Sequence, residues 1–118
     1  MTREEALQLV NDWTKHPNLV KHMLAVVAIM RALARHFHED EEIWGLAGLL
    51  HDADYEMFKD DTKKHPSKIF EELEKRNVDH RIVNAIKSHA WGWKEELPEP
   101  KTKMEWSLYC CDDLSGFI

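Results

Sequence analysis

Apolar residues recur along the chain at three- and four-residue steps, and the alternation expected of strands is nearly absent. Thr2 and Glu5 have the spacing of a capping box, which predicts a first helix through about Lys15 built on Ala6, Leu9, Val10 and Trp13. Pro17 opens a longer helix to about Phe37, whose stripe is Leu19, Met23, Val26, Val27, Met30 and Leu33. Asp40 is placed to cap a third helix, from Glu41 to about Leu50, which ends in His51-Asp52.

The stretch from Ala53 to Lys64 is polar and is expected to be irregular. A fourth helix is predicted from Pro66 to about Arg76, with Ile69, Phe70 and Leu73 inward. Asp79 caps a fifth, which carries Ile82, Val83, Ile86 and His89. Residues 91–103, with Pro98 and Pro100, read as a loop. Thr102 and Glu105 form a second capping-box pattern, opening a last helix with Trp106, Leu108 and Tyr109. The expectation is an all-α bundle of about six helices, forming one domain over residues 1–118.

Composition narrows the function classes. Hydrophobic residues make up 43%, enough for a core, and the net charge of -6 argues against a nucleic-acid polymer as partner. No apolar run approaches the roughly 20 residues that a membrane span needs, and the acidic N-terminus is no signal peptide. Adjacent Cys110 and Cys111 suit reduced thiols, so a cytoplasmic protein is expected. The sequence stops at Gly116-Phe117-Ile118 in an apolar context, which reads as a trimmed domain or as an edge for a homo-oligomeric partner.

Eight histidines in so short a chain raise the question of which converge. His22 lies in the stripe of the second helix, in line with Val26, Ile29 and Leu33. Taken singly, it reads as a core imidazole bonded to a carbonyl. His51-Asp52 ends an apolar helix, which delivers an imidazole and a carboxylate together. A carboxylate brought into such company calls for a cation or a partner. His89 falls on the inward face of its helix, and Asp112 follows Leu108 and Cys111. His65 stands just before Pro66. Buried imidazoles and carboxylates on separate helices are explained together by a metal. Nitrogen and oxygen donors without thiolate favour iron, manganese, magnesium, cobalt or nickel over structural zinc.

The blocks Asn18-Leu19-Val20-Lys21-His22, Gly45 through Glu56 and Tyr109 through Gly116 resemble the HD superfamily of metal-dependent phosphohydrolases, in a small bacterial branch of HDIG type. That resemblance implies His22, His51, Asp52 and Asp112 as metal ligands, with Asp112 preferred to Asp113. It also implies His65 and His89 as ligands of a second divalent ion or of substrate. The activity implied is hydrolysis of a small phosphate ester, such as a nucleotide, with Asp52 and Asp54 as catalytic carboxylates.

Glu56 reads as a second base or as a solvated acidic turn. Lys63, Lys64 and Lys68 read as anion-steering groups or as a solvated helix start. Trp91 and Trp93 read as a pocket wall or as core cover. Two other functions fit the same residues, a di-iron oxygenase of HD type and a non-catalytic metal-binding sensor.

Overall fold

A computed structural model describes residues 1–58, 60–61, 67–92 and 97–115, except the side chains of 112–115. Its helices are α1 (Arg3–Trp13), α2 (Pro17–His36), α3 (Glu41–Leu50), α4 (Ser67–Lys75), α5 (His80–His89) and α6 (Lys103–Ser115). One 3-10 turn, Glu56–Phe58, lies between α3 and α4, and no strand occurs among the described residues. The all-α expectation holds.

The starts of α1, α3 and α5 have local causes. Thr2 and Glu5 exchange both capping-box bonds at the head of α1. Asp40 accepts the backbone N–H groups of Glu42 and Ile43, and Asp79 accepts that of Arg81. At α6 only half of the predicted box forms. Thr102 Oγ1 accepts the Glu105 N–H, but the Glu105 carboxylate takes the N–H of Lys101 instead of Thr102. The start of the fourth helix, expected at Pro66, is described from Ser67.

α3 is the centre of the bundle. Its residues Trp44 through Leu50 are all buried, so it has no solvent stripe over that stretch, and α1, α2, α5 and α6 all pack on it. The other helices turn one face inward. Met23, Val26, Val27, Met30 and Ala34 are the buried residues of α2, while Leu19 and Leu33 are only half-buried. Ile82 and Ile86 of α5 are enclosed, as are Ile69 and Leu73 of α4. In the last helix Leu108 and Cys111 are buried, whereas Trp106 is 40% exposed. The Cα radius of gyration, 12.9 Å, is close to the roughly 13 Å expected for a folded domain of this length.

α2 is the described helix that bears on the membrane expectation. At 20 residues and a mean hydropathy of 1.3 over its most apolar window, it is long and apolar enough to cross a membrane by length and composition. A core helix passes the same test, and α2 packs against α3 and α6 through its buried side chains.

α2 and α3 approach closely at Gly48. A Cβ on Gly48 would lie 3.2 Å from the Val27 nitrogen and 3.3 Å from the Val26 carbonyl carbon and the Met30 Cγ. Two of these three neighbours are backbone and cannot step aside, so only glycine fits without displacing α2.

Gly48→Ala is therefore expected to destabilise the protein by about 1–2 kcal/mol, despite alanine's higher helix propensity. Gly45→Ala meets only the flexible Arg31 side chain and is expected to be neutral or mildly stabilising. Thermal melts of the two variants check the contrast. A second expectation concerns Asp79, whose carboxyl is held below its ordinary range by hydrogen bonds from the Arg81 side chain and backbone. Because that shift is downward, its contribution is present above about pH 4 and fades as pH falls through the lowered value. Asp79→Ala should cost about 1 kcal/mol at neutral pH, and the difference from wild type should shrink in acid denaturant titrations.

Candidate metal centre

α3 is capped by His51 and α5 ends in His89, and both ends carry the same fastening. His51 Nδ1 lies 2.7 Å from the Gly48 carbonyl, and His89 Nδ1 bonds the Ile86 carbonyl, three residues back in each case. The last carbonyls of a helix lack intrahelical partners, so each imidazole satisfies one of them. A carbonyl only accepts, so Nδ1 must be the protonated nitrogen in both rings. That leaves both Nε2 atoms to face the interior of the site, in the tautomer that a metal-ligating imidazole adopts.

Those nitrogens converge on one carboxylate. His51 Nε2 is 3.2 Å and His22 Nε2 is 3.3 Å from Asp52 Oδ2, while His89 Nε2 is 3.6 Å from Asp52 Oδ1. The His51 ring centroid lies 5.5 Å from that of His22 and 5.1 Å from that of His89. One donor atom each from His22, His51 and Asp52 falls within 4.8 Å of the other two, a spacing that fits a single ion. With Nδ1–H already donating, a neutral His51 presents a lone pair to a carboxylate oxygen. A cation between them turns that repulsion into two bonds.

His22 comes from the second turn of α2, and the Gly48 contact helps bring it to Asp52. It precedes Val26 by one helical turn, and His51 follows Gly48 by three residues, so the close approach aligns both rings at one end of the helix pair. The cluster is open on one side. His51 and His89 side chains are 0% and 3% exposed, against 20% for His22 and 12% for Asp52.

The other expected residues divide into three groups. His89, assigned by resemblance to a second ion or to substrate, stands against Asp52 beside the first cluster. Asp112 lies in α6, with its side chain, like that of Asp113, outside the described residues. His65, Lys63, Lys64 and Trp93 fall outside them entirely. Lys68 is exposed and pairs with Glu71 at 3.6 Å. Trp91 is 38% exposed and meets Trp106 and Tyr109 with ring centroids 6.5 and 5.9 Å away, so it forms a surface aromatic group.

The two carboxylates beyond Asp52 hold the turn together. Asp54 is fully buried, and its Oδ2 accepts the Ile69 N–H of α4 at 3.0 Å. Glu56 is neither a free base nor a solvated turn residue. Its two oxygens accept the N–H groups of Lys15 and His16 at 2.6 and 3.0 Å. These ties had no signal in the spacing of the sequence, because each joins residues at least 15 positions apart.

No curated protein and no solved structure matches the chain. A family model does: that of the HD domain covers residues 19–115, which takes in His22, His51, Asp52, His89 and Asp112. With the described helices and the imidazole–carboxylate cluster in place, the match shows that the chain belongs to the HD domain family, whose members are generally metal-dependent hydrolases.

Proposed function

We propose that this protein is a metal-dependent phosphohydrolase acting on a small phosphate ester, such as a nucleotide, and that it belongs to the HDIG-type branch. The observation that carries the proposal is the set of three imidazoles around Asp52, two of them fixed by backbone carbonyls with Nε2 toward the carboxylate. His22, His51 and Asp52 would hold the divalent ion, and Asp112, which falls within the matched residues, would be the fourth ligand. A divalent ion bound there lowers the pKa of water and draws charge from a phosphoryl oxygen.

The chain's own residues do the rest. His51 and His89 are held in one tautomer and cannot turn without breaking a carbonyl bond. Asp52 offers Oδ2 toward His22 and His51 and Oδ1 toward His89, so one carboxylate can serve two positions. Substrate is expected to approach on the side of His22 and Asp52, the more exposed members of the cluster. Asp52 is the carboxylate placed to orient water and accept its proton. Asp54, the other acid expected to act on a proton, has one oxygen taken by Ile69, and in this reading it holds α4 to the ligand turn.

Protein purified without chelator should contain near-stoichiometric iron, manganese, magnesium, cobalt or nickel by mass spectrometry. Changes to the partners of metal ligands cost about 10–100-fold in affinity or activity. Loss of a ligand itself, in Asp52→Ala or His51→Ala, is expected to exceed about 100-fold. A panel of phosphate esters assayed with each metal should show turnover that disappears in Asp52→Ala. Metal without turnover on any ester would sink the hydrolase and favour a sensor. Iron with substrate-dependent oxygen consumption would favour an oxygenase.

A further inference from the structure

The start of α2 is fastened to the turn that carries the candidate ligands. Glu56 lies four residues after Asp52, and its carboxylate accepts two successive backbone N–H groups, from Lys15 through Oε2 and from His16 through Oε1. His16 is the N-cap of α2, and its own Nδ1 accepts the Asn18 N–H at 3.2 Å. One residue before this pair, Thr14 Oγ1 donates to the carbonyl of Ala53 at 3.3 Å, and Thr14 is buried. The joint between α1 and α2 is thus sewn to the turn at two adjacent points.

The fastening closes a short mechanical circuit. Asp52 leads along the chain to Glu56, Glu56 crosses to His16, α2 runs from there to His22, and His22 Nε2 returns to Asp52 Oδ2 at 3.3 Å. His22 lies six residue steps along from His16, a rise of about 9 Å. On the far side of His22, one turn on, α2 is wedged against Gly48 at Val26 and Val27. His22 therefore lies between two fixed points, the glycine contact and the carboxylate clamp. Without the clamp, only the Thr14–Ala53 bond still ties the joint before α2 to the turn, and the position of His22 relative to Asp52 is less tightly set.

We propose that Glu56 is a positioning residue of the metal centre, which sets the distance between His22 and Asp52 by clamping the start of α2 to the ligand turn. The inference rests on the reading of His22, His51 and Asp52 as a metal site. A carboxylate accepting two N–H groups at a helix start suits this work. Such bonds are charge-assisted, directional and reinforced by the helix dipole. Glutamine can accept one of the two N–H groups through its single amide oxygen, and alanine neither.

The test is a double-mutant cycle on Mn(II) affinity, measured by calorimetric titration of the full chain with Mn(II) alone. Circular dichroism and thermal melts serve as controls of folding. Glu56→Ala is expected to weaken Mn(II) binding by about 10–100-fold, and Glu56→Gln by less. Because Glu56 acts through His22, its removal should cost nothing further in a His22→Ala background.

A folded Glu56→Ala protein with wild-type affinity would overturn the proposal. So would a loss in the double variant equal to the sum of the two single losses. Should Glu56→Ala fail to fold, the Glu56→Gln and His22→Ala cycle decides by the same criterion. Wild-type protein that binds no Mn(II) or other divalent ion would overturn the metal reading itself, a result distinct from binding that is insensitive to position 56.

Discussion

Most of this structure depends on one backbone-to-backbone contact, where the missing side chain of Gly48 lets α3 lie against α2 at Val26 and Val27. α3 is buried along seven consecutive residues and meets four other helices, so its depth in the bundle is set by how near its largest neighbour can come. The same glycine has a second use, since its carbonyl receives His51 Nδ1. Helix packing and ligand orientation thus share one residue. The Gly48 contact is thus one of the two fixed points between which His22 meets Asp52.

A second constraint is electrostatic. Asp52 is a largely enclosed carboxylate with three imidazole nitrogens within 3.6 Å. Enclosing an anion is costly, and a divalent ion held between the carboxylate and the imidazoles would offset that cost. The donor set is nitrogen and oxygen from stiff helix ends. Such donors suit an ion that accepts mixed imidazole and carboxylate ligation, and Cys110 and Cys111 do not enter the cluster of His22, His51 and Asp52.

Much of the fold was legible because its determinants are local. The caps at Thr2, Asp40 and Asp79 act within three residues, and the stripes of α2 and α5 follow the helical period. The His51-Asp52 pair was legible for a similar reason, as polar residues ending an apolar helix. What escaped is non-local. Nothing near His89 in the chain shows that it shares a carboxylate with His22, and nothing near Glu56 shows that it reaches the start of α2. Glu105 was misread in detail because two N–H groups compete for one carboxylate, and spacing does not say which wins. Asp112 and His65 rest on resemblance, with the Asp112 side chain and all of His65 outside the described residues.

The fastening of His51 and His89 to carbonyls three residues behind them has a thermodynamic consequence. An imidazole free to rotate loses that freedom when it captures an ion, and the entropy lost is subtracted from the affinity. Here the two rings are immobilised when the last turns of α3 and α5 form. Their ordering falls on the folding reaction and is already complete when the ion arrives, so preorganisation of the donors is a property of the helix ends themselves.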